Sequence, residues 1–480
     1  MTTDAPTIVW FNNTLRLADH PALTKAVATG PVVPVFVLDD QHAGTWKMGA
    51  ASRWWLYHSL RSLGADLKKR GVDLILRRGD TVAVLTELAT EIGAQAVNFT
   101  RDYEPGSGER ESALKDALAE QGVACRRFKG RLLVEPEDIR TKTGAIYKVY
   151  TPFWRSLSSS IDIGPGSDEP GQIASCADEI ESDDLDTWAL CPTRPNWAED
   201  WSNSWTPGER GARDRLDDFL DDGLKGYDTE RDRPDHAGTS RLSPHLHFGE
   251  ISPQAIWRAT TVRNGGVASL DADRETFLKE LVWREFSAHL LFHFDHLPNS
   301  AFKENFNAFP WKNDDAALEA WQKGKTGYPI VDAGMRELYA TGWMHNRVRM
   351  ITASFLIKHL LVPWQQGEAW FWDTLVDADL ASNSASWQWV AGSGADASPY
   401  FRIFNPITQG QKFDPEGDYV RKWVPEIAKL PNKVLHAPFE ADARTLDTAG
   451  VTLGKTYPLP IVDHSAARAR ALAAYEKIKG

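Results

Sequence analysis

Residues 7–38 read TIVWFNNTLRLADHPALTKAVATGPVVPVFVL. Thr7 to Phe11 is a short apolar run, Val32 to Leu38 is another with Pro34 inside it, and a helix is expected around His20 to Thr29 between them. A strand, a crossover helix and a second strand place the two strands parallel in one sheet. The pattern continues outward. Asp73 to Leu76 and Gln95 to Thr100 read as strands, and Ala50 to Arg70, Val82 to Ile92 and Glu109 to Glu120 as helices. Strands alternating with helices predict a doubly wound α/β domain with a parallel sheet, whose ligands sit at the carboxyl ends of the strands. No GxGxxG follows the first strand, so the dinucleotide fingerprint is missing. A nucleotide-like ligand and an empty structural domain both stay open. Trp54, Trp55, Tyr57 and His58 lie on one helix, where core packing alone accounts for them.

From Gly130 to Trp205 periodicity fades into Ser, Asp, Pro and Gly, as in SSSIDIGPGSDEPGQ, and a long connection is expected. After Thr206 apolar residues recur at three-to-four spacing through Glu209 to Asp222, Pro253 to Val262, Asp271 to Phe294, Asp314 to Gln322, Pro329 to Thr341, Asn346 to Leu361 and Gly367 to Leu375. The expected organisation is an α/β domain over residues 1–129, a connection over 130–204 and an all-helical domain over 205–480, with no internal repeat.

A chain of 480 residues with 42% hydrophobic and 25% charged residues has material for two or more packed domains. No apolar run approaches the roughly 18 residues of a membrane span. The start, MTTDAPTIVWF, lacks a basic region followed by an apolar run, so no signal peptide is expected. Cys125, Cys176 and Cys191 form neither a metal-ligand spacing nor a disulfide framework. A soluble cytoplasmic protein in a reducing compartment follows as the expectation. A net charge of −12 argues against non-specific coating of nucleic acid, which needs phosphate neutralisation, yet leaves room for a local basic patch. Twenty tryptophans stand against five methionines, and most fall after residue 190. Tryptophan suits cores and interfaces, but also stacking on bases and giving up single electrons.

Four stretches concentrate chemistry. Residues 377–406, DADLASNSASWQWVAGSGADASPYFRIFNP, place Asp379, Asn383 and Trp387 four residues apart, on one face if the segment is helical. Asp377 and Asp379 can share a partner, and the small residues between allow close approach of something large and flat. A polar helix cap followed by a loop is the plain alternative. Residues 227–249, YDTERDRPDHAGTSRLSPHLHFG, offer hydroxyls and main-chain amides that hold a phosphate or cap a helix. In FLKELVWREF, Phe277 to Phe286, Glu280, Trp283 and Arg284 share a face, and Trp283 makes a fully solvated ion pair costly. In WMHNRVRMITASF, Trp343 to Phe355, Asn346 and Met350 lie one turn apart with Arg347 and Arg349 between them. No acidic residue intervenes from Leu338 to Gly367, which predicts a locally positive strip that Arg402 and Lys412 extend, giving phosphate contacts that set register but read no sequence.

In this order TSRLSP, KELVWREF, KTGYPIVDAGMR, WMHNRVRM, DADLASNSASWQW and SPYFRIFNP resemble the photolyase and cryptochrome family of flavoproteins. The resemblance covers the N-terminal strands and nearly all of residues 205–425. It implies an α/β antenna domain followed by a helical domain that buries FAD in a U shape. It implies that Tyr227, Thr239, Ser240, Arg241, Leu242 and Ser243 bind the FAD phosphates, that Arg349 and Asp377 form an ion pair beside the flavin ring, and that Phe277, Glu280, Arg284, Asn346 and Asp379 make further FAD contacts. Asn383 matches the position facing flavin N5, where plant-type cryptochromes carry Asp and animal ones Cys. Glu280, Trp283, Asn346, Met350 and Trp389 match the pocket for a cyclobutane pyrimidine dimer. Trp387, Trp364 and Trp311 match a relay carrying electrons from the surface to the flavin, and Arg347, Arg402 and Lys412 are the expected DNA contacts.

Two departures from the family pattern are Phe277, where some relatives carry Trp, and Ala385 with Ser386 in place of a Gly pair. ASRWWLYHSL and the Tyr103-Glu104 pair resemble members that bind a folate antenna, methenyltetrahydrofolate, favoured over a deazaflavin, with Glu104 as the candidate contact. The implied activity is light-driven repair by reduced, anionic FAD of UV-damaged DNA carrying pyrimidine dimers. The alternative is a blue-light photoreceptor of the cryptochrome type, against which Asn383 and the short stretch after the last expected helix, Ser465 to Lys477, both count. A monomer, with no metal and no membrane partner, found on the nucleoid when bound to DNA, completes the expectation.

Overall fold

The computed structural model describes residues 5–41, 44–176, 179–262 and 271–479. Contacts gather the chain into two compact units, one made of residues within 1–196, 205–222 and 240–295, the other of 197–204, 223–239 and 296–480.

The first unit carries a five-stranded parallel sheet. Its elements run β1 (Thr7–Trp10), α1 (Pro21–Val27), β2 (Val32–Leu38), α2 (Ala50–Lys69), β3 (Ile75–Arg78), α3 (Thr81–Glu91), β4 (Ala96–Thr100), α4 (Ser107–Glu120) and β5 (Ala124–Phe128). The order β3-β2-β1-β4-β5 puts β1 at the centre, with Thr7 level with Val32 on one side and Ala96 on the other. Every residue of β1, β2 and β4 is buried, as a sheet covered by helices on both faces requires. Trp55 is fully buried beside Trp205, His245 and Phe248, so the aromatic run on α2 is core.

Three elements differ from the sequence reading. β5, ACRRF, was not foreseen: its residues are only partly buried, and Arg126 and Arg127 break the apolar run an edge strand does not need. β3 sits two residues later than expected, ending on the half-exposed Arg77 and exposed Arg78. Within the expected connection lies α5 (Tyr150–Ser160), whose Tyr150, Phe153 and Leu157 are buried at helical spacing while its serines conceal the pattern. The unit continues with α6 (Glu209–Asp218), whereas α7 (Tyr227–Glu230) belongs to the second unit. Then follow α8 (Ser243–His247), α9 (Pro253–Val262) and α10 (Ala272–His293), the last capped by Asp271, which accepts from the Arg274 amide.

The second unit is helical. Its main elements are α11 (Asp315–Gln322), α12 (Pro329–Thr341), α13 (Asn346–Ser354), α14 (Trp364–Thr374) and α15 (Leu380–Ala391), followed by shorter helices and a last one at His464–Glu476. α12 has Pro329 in its first turn and stops at Gly342, whose φ of +68° a side chain would resist. The helix expected over Asn346 to Leu361 is α-helical only to Ser354 and closes in a π-helical turn at Phe355–Leu360. The core holds Trp321, Trp364 and Trp387, none more than 2% exposed.

Candidate functional site

In the helical unit, α13 and α15 bring a guanidinium, a carboxylate and an amide together. Arg349 Nη2 stands 2.8 Å from Asp377 Oδ2 and 3.1 Å from Oδ1, and Nε donates to the Met344 carbonyl at 2.7 Å. That second anchor fixes the guanidinium plane, and the Asp377 side chain is almost fully buried. Two residues on, Asp379 caps α15 by accepting from the Ser382 amide at 2.8 Å. One turn later Asn383 is buried and donates from Nδ2 to the Glu368 carbonyl at 3.0 Å. The nitrogen end of the amide is thereby held by α14, and its oxygen is left as the acceptor end. Ala381, Ser382, Ser384 and Ala385 add little bulk around it. The set of paired guanidinium and carboxylate, anchored amide and small side chains fits the polar edge of a flat heteroaromatic ring such as a flavin.

Glu368 was not foreseen as a site residue. It is fully buried; Ser384 Oγ donates to its Oε1 at 2.6 Å, while Oε2 is buried with no hydrogen-bond partner. Burial pushes this carboxyl up to about 8, with the Ser384 hydroxyl opposing.

Trp387 lies on α15 with its ring centre 5.0 Å from Phe371 and 6.2 Å from Trp321, both edge-on. It also presses on Gly367, one residue before Glu368. Trp364 opens α14 and is 1% exposed, whereas Trp311 is only partly buried, 4.3 Å from Phe309. Burial therefore runs from two enclosed rings to one that reaches the surface. Trp389 is partly buried and follows Trp387 by two residues, on a different face of the helix.

The positive strip does not survive folding as such. Arg347 pairs with Asp232 at 2.6 Å and lies over Phe413, and Arg349 pairs with Asp377. Acids from elsewhere in the chain neutralise both arginines, which a local charge count cannot see. Arg347 also reaches Met350 Sδ at 3.7 Å, while Asn346 is exposed at the start of α13. Arg402 and Lys412 are exposed, as is Phe401 beside them. The buried Lys358 supports this segment by donating to the Arg402 carbonyl at 3.2 Å. Tyr227 is buried with Arg231 over its ring, and Thr239 is half-buried.

In the first unit, α10 presents Glu280 and Trp283, both partly buried. The indole of Trp283 stacks on Tyr150 of α5 at 3.7 Å and 5° between planes, and the Tyr150 hydroxyl donates to the Lys279 carbonyl at 2.6 Å. Tyr150 thus fixes Trp283 by one face, a role no motif announced. Arg284 Nη1 donates to the Arg131 carbonyl at 3.0 Å and to Glu285 at 3.1 Å. Phe277 packs 4.6 Å from Phe219 in the core. In TSRLSP, Arg241 holds φ at +50°, the Leu242 amide points at Ser240 Oγ, Leu242 is buried and Ser243 opens α8. Glu104 is half-buried, and its carbonyl accepts from Ser107.

Comparison with known proteins agrees with this geometry. Residues 277–477 match the model described as the FAD binding domain of DNA photolyase, and residues 7–171 match the model described as DNA photolyase. The chain is 54% identical over 476 residues to a deoxyribodipyrimidine photo-lyase of Agrobacterium fabrum, covering 99% of this chain and 98% of that one. It is 38% identical to cryptochrome-1 of Arabidopsis thaliana, covering 96% of this chain and 69% of that one. A bacterial class III photolyase from Agrobacterium tumefaciens superposes with a TM-score of 0.96 at 53% identity, covering 100% and 98% of the two chains. Among the described residues no helix is long and apolar enough to cross a membrane, and no group of three or more His, Cys, Asp or Glu is placed to hold a metal. An α/β domain with a parallel sheet, a helical FAD-binding domain and this extent of identity place the chain in the photolyase and cryptochrome family of flavoproteins, on its DNA photolyase side.

Proposed function

We propose that this protein is a light-driven DNA repair enzyme, a deoxyribodipyrimidine photolyase acting on cyclobutane pyrimidine dimers in UV-damaged DNA. Asn383 carries the reading: a neutral amide, its nitrogen tied to the Glu368 carbonyl, stands where plant-type cryptochromes carry an acid. Its free oxygen end can accept a hydrogen bond from a protonated flavin N5, which suits a reduced cofactor. Reduced FAD supplies one electron on absorbing blue light and regains it once the cyclobutane ring has opened.

The chain's own groups bind, orient and insulate. Tyr227, Thr239, Ser240, Arg241, Leu242 and Ser243 would hold the FAD phosphates, the Arg349–Asp377 ion pair would stand beside the flavin ring, and Phe277, Glu280, Arg284, Asn346 and Asp379 would make further FAD contacts. Trp283 and Trp389 are the aromatic residues that would stack on the flipped-out dimer, where stacking on an aromatic ring contributes about 1–3 kcal/mol per base. Glu280 and Asn346 hydrogen-bond the bases, and Met350 supplies a polarizable contact. Trp387, Trp364 and Trp311 re-reduce the flavin from the surface. Arg347, Arg402 and Lys412 meet phosphates, Arg347 while also paired with Asp232. Folate as antenna near Glu104, the division into residues 1–129, 130–204 and 205–480, a monomeric state and residence in the cytoplasm or on the nucleoid belong to the same proposal.

A dimer-containing oligonucleotide illuminated with blue light beside the reduced protein should lose its dimers. No loss overturns the proposal. Replacing Trp387 with Phe should sharply slow photoreduction of the oxidised holoprotein while leaving repair by chemically reduced protein in place.

A further inference from the structure

Two acids of the segment 230–236 are met locally: Glu230 pairs with His236 at 2.6 Å and Asp235 with Arg233 at 2.8 Å. Asp232 instead reaches a residue 115 positions on in the same unit. Its Oδ1 accepts from Arg347 Nη2 at 2.6 Å and from Arg347 Nε at 3.2 Å. An arginine presents paired N–H donors along two edges, Nε with Nη2 and Nη1 with Nη2, and either edge can grip a phosphate at two points. Asp232 closes the first of them. The second ends beside Met350, whose Sδ lies 3.7 Å from Nη1, and the guanidinium carbon stands 4.6 Å from the centre of the Phe413 ring. One edge and one face are therefore taken. What stays open is directed beside Met350.

Arg402 and Lys412, the other two cations expected at DNA, are held differently. Both are exposed, and among the described residues neither forms an ion pair. Each is free to attract the phosphates of any duplex, a term that reads neither sequence nor damage. An acid on the third cation subtracts from that term. The side chains of the Arg347–Asp232 pair are 19% and 35% exposed, and pairs so exposed add little to stability. Stability therefore does not account for Asp232, and its effect on how Arg347 meets a phosphate does.

A repair enzyme is competed for by a vast excess of intact DNA, so discrimination depends on the ratio of two affinities, and weakening the wrong complex serves as well as strengthening the right one. A guanidinium free to swing would follow phosphates along an intact duplex. One clamped by Asp232 and Phe413 cannot, and it serves a phosphate only where the backbone comes to the Nη1 edge. A dimer flipped out against Met350 brings its own flanking phosphate there.

We propose that Asp232 is a specificity-determining residue: by holding the Nε–Nη2 edge of Arg347 it withholds this cation from intact duplex and keeps the Nη1 edge, beside Met350, for the phosphate that flanks a flipped-out dimer. The inference rests on the reading above, in which Met350 meets the dimer and Arg347 a phosphate.

The test measures binding of FAD-loaded protein in the dark, so that no dimer is repaired, to a fluorescently labelled duplex that is intact or carries one thymine dimer, at a series of salt concentrations. In Asp232→Asn, affinity for the intact duplex should rise by about tenfold, the size of one charge-assisted hydrogen bond, while affinity for the dimer-containing duplex should rise by about threefold or less. The salt dependence of intact-duplex binding should steepen by about 0.9, one further phosphate contact. Asp232→Ala, which also removes the acceptor, should move both values further in the same direction, and it carries the same test should Asp232→Asn lose its FAD. Made in an Arg347→Gln background, either replacement should give no gain. An intact-duplex affinity that is unchanged or lower, as loss of a merely structural pair would give, overturns the inference. So does an equal rise for the two duplexes, or a gain that survives in Arg347→Gln. If Arg347→Gln alone leaves affinity for the dimer-containing duplex unchanged, Arg347 meets no phosphate, and the reading on which the inference rests falls first.

Discussion

α10 in one unit and the α14–α15 pair in the other each carry a tryptophan and a buried glutamate, and they hold these residues in different ways. Trp283 lies flat on Tyr150 at 3.7 Å and is only partly buried, whereas Trp387 is 2% exposed among Phe371, Trp321 and Gly367. Glu285 has an amide at 2.7 Å and a guanidinium at 3.1 Å; Glu368 has one hydroxyl. A ring supported on one face keeps the other for a flat partner, while a ring enclosed on all sides can change its charge but not its position. The carboxyl with an amide and a guanidinium orients its neighbours, and the one with a single hydroxyl keeps its proton to higher pH.

The largest expected effect separates the two glutamates by pH. Both have folded-state values raised by burial, Glu285 to about 7 and Glu368 to about 8, from an ordinary 4.5. Below the unfolded value both states are protonated and the contribution to stability is complete. As pH rises from there the unfolded chain ionises first, so stability falls by up to about 1.4 kcal/mol per pH unit for each group until its folded value is reached. The Glu285 share of that slope ends near 7 and the Glu368 share near 8. Urea unfolding of Glu368→Gln should therefore lose less stability than wild type across this range, with the gap still widening between the two folded values. Parallel curves would show that Glu368 ionises freely, and the contrast with Glu285 would disappear.

A second test addresses the enclosure of Trp387. In an exposed helix interior, Gly→Ala gains about 1 kcal/mol. At Gly367 a Cβ would fall inside contact distance of the Trp387 ring and 2.7 Å from Leu356 Cδ2, so overpacking costs about 2 kcal/mol and the sign reverses. Unfolding midpoints of Gly367→Ala should fall, and FAD retention with them. A stabilised variant would mean that Trp387 has room to move, as Trp283 has on its open face.

Legibility in the sequence followed the range over which each feature is determined. β1, β2 and β4 are buried on both faces and appear as continuous apolar runs, so the parallel layer could be read directly, while the edge strand β5 and the serine-rich α5 carry weaker signals. Asp377, Asn383 and Trp387 occur within one motif, and Arg349 within another, so their grouping was accessible. Glu368 and Tyr150 were not. Glu368 becomes unusual only because α15 packs its Asn383 and Ser384 against α14, and Tyr150 only because α5 reaches α10. The same limit hid the partner of Arg347, because Asp232 comes from a separate segment.

The smallest effect concerns the supported face of Trp283, and two substitutions at Tyr150 divide it. Tyr150→Phe keeps the stack and removes only the hydroxyl that donates to the Lys279 carbonyl at 2.6 Å, which should lower stability by about 1 kcal/mol. Damaged-DNA affinity should stay as it was, because the ring beneath Trp283 is unchanged. Tyr150→Leu also removes the aromatic pair, a further loss of about 1 kcal/mol. Trp283 would then sample other rotamers, and ordering it again on binding would cost about 0.5–1.5 kcal/mol of affinity. Fluorescence-monitored unfolding and titration with dimer-containing DNA read the two effects separately. Equal affinities for the Phe and Leu variants would mean that Trp283 is held by α10 alone, and the distinction between a ring supported on one face and a ring enclosed on all would no longer rest on Tyr150.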